Sequence, residues 1–473
     1  MTEDDGRDDQ EHPEPPHAGL DADDVMPEAV ESAGDVDLER PLQTRNAAIF
    51  AATVSLIYLA APVLYIGFTQ AALLERLGAS KTVANLPSTA YLAMAPVTVI
   101  AAWLIPQARL LRKAIAWSFF ATAAVGGFVA AVLVLPGTAW DGLRIASLII
   151  HAIIVGIANG VIWSFNWEAL ARGVSEGRRG TALTLAYGVG PVFAVIGSLG
   201  SQLVLTNEVF GWTPPAWRPI SYPWSFALLF GASLPMMALA GYLALLYIIP
   251  IPRRDAERQP FSQGVLGGFG RFVGYRLIIV ACLGYLLVYS AHMVQNNMVL
   301  YTNEVVSLPS ETLVGYQNAI RFACKVIGGL ILGWILVRTN ALTCMAITTI
   351  LDGLGVLWIL FARGMSFLFA FGLNGAGELF GVYYPNYIVS CSPKAHVRRN
   401  MAFLRVIQTP VAAAPALFGW IADTWSLRAS FWVSLAVMAA TLIWMVVALP
   451  AHPRPRAEDI AEAEQENLDP IEQ

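Results

Sequence analysis

Three consecutive pieces of this chain decide how it is read: PWSFALLFGASLPMMALAGYLALLYII (223–249), PIPRRDAERQPFSQGVLGGFGRFVGY (250–275) and RLIIVACLGYLLVYSAHMVQNNMVL (276–300). The first and third are apolar runs of the length needed to cross a hydrocarbon layer about 30 Å thick, which takes about twenty helical residues. The second carries Arg253, Arg254, Arg258 and Arg271 and belongs in water. Working outward from this loop, the same alternation recurs on both sides. Apolar runs at 46–70, 84–105, 113–135, 142–167, 180–204 and 223–249 precede it, and runs at 276–300, 313–337, 341–362, 366–390, 400–422 and 429–450 follow it. The sequence therefore predicts an all-α membrane protein of twelve transmembrane helices, six on each side of a central linker.

The bulk composition agrees, with 56% hydrophobic and 13% charged residues. The formal net charge of -5 averages unlike regions. Residues 1–45 hold 15 acids against 3 bases, and residues 451–473 hold 7 acids against 2 bases, so the middle of the chain is basic. Acidic, Pro-containing tails of this kind cannot bury enough apolar surface to offset their ordering entropy, and both are expected to be disordered and cytoplasmic. The expected organisation is an acidic tail (1–45), a six-helix bundle (46–250), a cytoplasmic linker (251–275), a second six-helix bundle (276–450) and a second tail (451–473). Four cysteines lie in or beside spans without metal-ligand spacing, so no disulfide framework, metal or cofactor is expected. No phosphate loop or nucleophile elbow is recognisable, which argues against an enzyme, and the bases sit in short loops rather than in a nucleic-acid-binding patch.

Those bases set the orientation. One set of connections carries sixteen Lys and Arg residues, from Arg109, Arg112 and Lys113 to Arg398, Arg399 and Arg405, whereas the opposite set carries six. The base-rich side is expected to be cytoplasmic, with both termini inside and the protein in the cell inner membrane. A shift of 220 residues lays Asn166 on Asn386 and Arg178–Arg179 on Arg398–Arg399, each double Arg just before a span. The two halves thus read as a six-plus-six duplication, an arrangement that places a solute site between two rocking bundles.

Over about residues 46–450 the chain resembles the major facilitator superfamily. In WLIPQARLLRKA, between the second and third runs, Arg109, Arg112 and Lys113 match that family's basic loop motif, although Ala108 stands where the family has Asp. A second copy keeps Gly333 and Arg338, with Val337 at the Asp position. GWIADTW after the eleventh run and Gly190-Pro191 in the fifth are also similar to family patterns. The resemblance implies a two-repeat fold, a central cavity bordered by spans eight and ten, and gating roles for Arg109 and Arg338.

An ionisable side chain near the bilayer centre costs roughly 2.5–3.5 kcal/mol on insertion scales, so each one asks for a partner or a function. Arg321, Lys325, Asp352 and Glu378 are the formal charges deep in spans, with His151 and His292 as titratable neutrals. Gln317, Arg321 and Lys325 recur every four residues and form one polar stripe. Asn374 and Glu378 on span ten lie at similar depth, which predicts that Lys325 or Arg321 pairs with Glu378. On span seven Tyr285, Tyr289, His292 and Asn296 share a face. Asn159 on span four and Tyr58 and Tyr65 on span one supply hydrogen-bonding groups from the first half. Asp352 reads as structural. Asn166 and Asn386, matched by the repeat, read either as a cytoplasmic gate or as bonds between helices.

These readings converge on a monomeric secondary transporter working by alternating access. It would bind a small polar organic solute, with two bases against one carboxylate suiting an anion, through Arg321, Lys325, Gln317, Tyr289, His292, Asn296, Asn159, Tyr58, Tyr65 and Asn374. Glu378 would couple transport to protons, as in a symporter. Export of an amphiphile, or a non-transporting sensor built on the same fold, are the rival readings. No nucleic-acid partner is expected.

Overall fold

The computed structural model describes residues 38–215, 218–250, 267–392 and 397–453. The expectations for residues 1–37, for most of the linker and for the end of the C-terminal tail lie outside the described residues.

Among the described residues, eleven helices are long and apolar enough to cross a membrane. They are span two (Lys81–Leu104), three (Ala108–Leu133), four (Thr138–Gly173), five (Thr181–Thr206), six (Trp224–Leu245), seven (Arg276–Leu300), eight (Val314–Arg338), nine (Ala341–Phe361), ten (Gly364–Ser390), eleven (Phe403–Thr424) and twelve (Leu427–Ala448). Span one completes the twelve in three pieces, Arg40–Leu59, Ala61–Leu64 and Phe68–Arg76. Local chemistry fixes several starts. Ser80, Asn340 and Ser426 cap spans two, nine and twelve by accepting from the backbone N–H three residues on. The outer surface is apolar, with Trp117, Leu330 and Val447 at least 70% exposed, as lipid contact requires and water would oppose.

The apolar runs predict an unbroken first helix, and the structure differs there. Span one unwinds at Tyr65–Gly67, where Gly67 has φ +152°. Gln70 stabilises the break: its Oε1 accepts from the Gly67 N–H at 3.0 Å and its Nε2 donates to the Val63 carbonyl at 2.7 Å. Span ten is interrupted too, between its helices Phe369–Gly377 and Phe380–Ser390, so Glu378 sits in a local break. Within the first half, Asn46 ties three helices together, donating to the carbonyls of Gly173 (3.0 Å) and Ile248 (2.8 Å) and accepting from the Ile248 N–H.

The two halves meet along three close seams, each needing a residue without a side chain. Beside span one's break, a Cβ on Gly67 would lie 2.7 Å from Asn296 Oδ1 on span seven. On span eight, a Cβ on Gly315 would press against Gln202 of span five. On span eleven, a Cβ on Gly419 would meet the Lys81 carbonyl at 2.6 Å. Polar bonds reinforce all three. Asn296 donates to Asn85 (3.0 Å) and Ser88 (2.9 Å), Asn85 donates to Asn297 (2.9 Å), and Gln202 donates to the Thr312 carbonyl at 2.7 Å. Asp423 accepts from the Lys81 and Thr82 backbone at 2.7 and 2.8 Å. Ion pairing of Arg76 with Glu311, and a hydrogen bond from Ser310 to Glu75, link the loops above. These contacts close the molecule at the end opposite the chain termini.

Gly67→Val should therefore prevent this closure. The backbone conformation is one that only glycine adopts readily, at a cost to other residues of about 1–3 kcal/mol, and the added carbons would displace Asn296. In a background without the native cysteines, Ser88→Cys should become at least ten times more reactive toward an impermeant maleimide applied from the termini-distal side. Unchanged reactivity would show that the Gly67 turn does not set the closure.

Candidate functional site

Beneath that closed end the charged residues of the second half converge. The four-residue spacing of Arg321 and Lys325 puts both on one face of span eight, and the break in span ten turns Glu378 toward them. Arg321 Nε lies 3.0 Å from Glu378 Oε2, and Lys325 Nζ lies 3.2 Å from Oε1. Two bases thus share one carboxylate, each oxygen taken by a different cation. Small residues allow it: a side chain at Gly375 would collide with the Arg321 backbone, and one at Gly328 would touch Ala376. Lys325 and Glu378 keep 22% and 18% of their side chains exposed, against 7% for Arg321, so the triad is reached from the Lys325 side.

The first half covers the triad with aromatic rings. The Arg321 guanidinium lies 4.9 Å from the centre of the Phe68 ring, a cation–π contact between span eight and span one. Phe68 meets Phe371 edge-on at 5.6 Å, and Tyr65 meets Phe322 edge-on at 5.1 Å. Tyr58 stacks on Tyr65 at 5.8 Å. Phe68 carries no signal in the sequence, since an aromatic in an apolar run reads as packing, and only the break at Gly67 brings it over Arg321.

A second polar cluster lies deeper in the second half. His292 Nδ1 is 2.9 Å from Asp352 Oδ2, and Asn374 Nδ2 donates to Asp352 Oδ1 at 2.7 Å. All three side chains are almost completely buried. A side chain at Gly377 would strike Asp352, so span ten's glycines seat span nine's carboxylate as well. His292 and Asn374, expected to bind solute, instead hold Asp352. Asn296 is likewise buried, bridging spans two and seven. Gln317 is buried too, donating to Thr302 Oγ1 at 2.8 Å. None of these four lines an open space here. The NH2 groups of Asn296, Gln317 and Asn374 and the Nδ1 of His292 are engaged by the protein, whereas Asn296 Oδ1, Gln317 Oε1, Asn374 Oδ1 and His292 Nε2 are buried without a hydrogen-bond partner among the described residues.

In the first half Asn159 donates to the Tyr91 hydroxyl at 3.2 Å, on the seam side of spans four and two. Asn166 accepts from the Tyr247 hydroxyl, just past the end of span six, at 3.2 Å and is wholly buried inside the first half. Asn386 is half-buried on span ten. Arg338 folds back over Trp334, 4.1 Å from its ring centre, at the end of span eight. Arg109 stands in the turn Ala108–Leu110 that joins spans two and three. Gly190, part of the Gly-Pro pair, is explained by packing: a Cβ there would enter the Tyr58 ring.

Solved structures decide the fold. The D-xylose–proton symporter superposes with a TM-score of 0.64 over 86% of this chain and 98% of its own, at 13% identity. The chain has the major facilitator fold. The nucleoside transporter NupG follows this fold similarly, with a TM-score of 0.61, 10% identity, and 86% and 98% of the two chains covered. The E. coli fucose:proton symporter FucP gives 0.51 at 15% identity, again over 86% and 98%. In sequence, residues 300–472 match the model of the Major Facilitator Superfamily. No curated protein matches the chain. At these identities the structural likeness carries the major facilitator architecture of twelve helices in two bundles. With its lipid-facing apolar surface, it makes the chain an integral membrane protein.

Proposed function

We propose that this protein is a secondary transporter that moves a small polar organic solute, with an anion favoured, by alternating access, and that Glu378 carries the coupling proton. The observation that supports this most is the shared carboxylate: Glu378 occupies both Arg321 and Lys325 at the seam between the halves. An anionic solute needs those same cations, so it competes with Glu378 for them. Protonating Glu378 removes the competitor and releases two bases, which links proton uptake to solute binding through simple charge balance. Rocking the bundles about the triad then exposes it to the other side. The sugar symporters of the same fold are named as proton-coupled, which favours the same source of energy here. The excess of bases on the termini side supports a cytoplasmic position for that side, with the closed end facing outward. A monomer satisfies this scheme, because both bundles lie in one chain.

The experiment is uptake into proteoliposomes of a panel of labelled solutes, with and without an imposed pH gradient. Arg321→Ala and Lys325→Ala should each lower uptake of an anionic solute at least tenfold while leaving a neutral analogue within about threefold. Equal loss of both solutes, together with lower protein yield, would make the triad a structural ion pair. Absence of any gradient-driven uptake across the panel would refute the transport reading.

A further inference from the structure

Glu378 occupies its two cations in a way that restricts what can replace it. Its Oε2 lies 3.0 Å from Arg321 Nε and its Oε1 lies 3.2 Å from Lys325 Nζ. One planar group with two oxygens thus satisfies both bases, one oxygen each. The bases stand one turn apart on span eight, and a single carboxylate bridges that interval. Among the described residues no third donor accompanies them at Glu378.

The surroundings leave little room for a third oxygen. Spans eight and ten touch around the triad: a Cβ on Gly372 would lie 2.8 Å from Cys324 Sγ, one on Gly328 would lie 3.0 Å from Ala376, and one on Gly375 would strike the Arg321 backbone. The ring centres of Phe68 and Phe322 lie 4.9 and 5.7 Å from the Arg321 guanidinium carbon, and both rings are buried. A tetrahedral sulfonate or phosphonate would bring its third oxygen against these rings or against the closely packed helices. A polar atom left there without a partner costs free energy. A carboxylate presents no such atom. It also carries the one negative charge that Glu378 gives up on protonation, so the site keeps its net charge through the exchange.

We infer that the solute is a carboxylate, docking with one oxygen on Arg321 Nε and the other on Lys325 Nζ in the place that Glu378 holds here, and that the site discriminates against sulfonates and phosphonates. This rests on the transport reading for its purpose, but docking can be measured without flux. Glu378→Ala leaves the two cations without their carboxylate, so an added one should stabilise that variant. The test is thermal unfolding of the purified full chain in detergent, titrated with propionate, ethanesulfonate and ethylphosphonate. Glu168→Ala, which removes the partner of Arg172 on span four, is the control for general effects of salt. Propionate should stabilise Glu378→Ala at concentrations about tenfold lower than either other anion, and Glu168→Ala should show no such preference. Equal potency of the three anions, no stabilisation by propionate, or the same preference in Glu168→Ala overturns the inference. The wild type gives a second reading that does not depend on the folding of Glu378→Ala. Acidification that protonates Glu378 should let radiolabelled propionate bind, with unlabelled propionate displacing it at concentrations about tenfold lower than ethanesulfonate. Absence of that binding, or equal displacement, also overturns the inference. Carboxylate preference without any flux in proteoliposomes would refute the transport reading and leave the docking site standing. Gradient-driven uptake confined to solutes without a carboxylate would do the reverse.

Discussion

Glu378→Gln should abolish solute accumulation driven by a pH gradient, by about two orders of magnitude, while leaving counterflow exchange of the same solute measurable. The glutamine keeps the size and one acceptor oxygen of the carboxylate but cannot take up or release a proton. Arg321 and Lys325 would then be permanently unopposed, as they would be only transiently when the native Glu378 is protonated. A solute anion could still dock on them, so exchange, which needs no net proton movement, should survive. Accumulation that persists in full would remove Glu378 from the coupling step. Loss of exchange and accumulation alike, with reduced yield, would mean that the carboxylate only holds spans eight and ten together.

The second large effect concerns folding. Asp352→Ala should destabilise the protein by about 3–5 kcal/mol, the usual cost of removing one member of a buried, hydrogen-bonded ionisable pair. His292 Nδ1 and Asn374 Nδ2 both lie within hydrogen-bond distance of the Asp352 carboxylate, and all three side chains are almost completely buried. Asp352→Asn should lose much less, because an amide of the same shape can keep one bond to each neighbour after a flip. Thermal unfolding in detergent would show the difference. A cycle with His292→Ala should give a coupling above about 1 kcal/mol, as residues in one network do. Additive losses would show that the two side chains only happen to adjoin.

The sequence carried the site unevenly, for physical reasons. Gln317, Arg321 and Lys325 were legible because an interval of four residues is a helix property, and a polar stripe in a lipid-spanning helix has few places to face. Glu378 was legible because an intramembrane acid is costly. Asp352 reads as structural from the sequence, but its partners cannot be read there, since they lie 60 and 22 residues away and nothing in its own span announces them. The run Gln295–Asn297 stood out as polar, yet its use as the bolt between the halves depends on Asn85 and Ser88, two ordinary residues of span two. The span count was clear from hydrophobic length alone, but the break in span one hung on a single backbone angle at Gly67.

The central claim is that the two bundles exchange an opening at one end for an opening at the other. Electron–electron distance measurements on two spin-labelled pairs, in a background without the native cysteines, address it most directly. Trp212→Cys with Leu308→Cys reports the closed end, and Leu110→Cys with Val337→Cys reports the termini side. All four positions are exposed. Between acidic and neutral pH with solute present, the first distance should lengthen as the second shortens. Two distances that stay fixed, or that change in the same sense, would contradict alternating access in this protein.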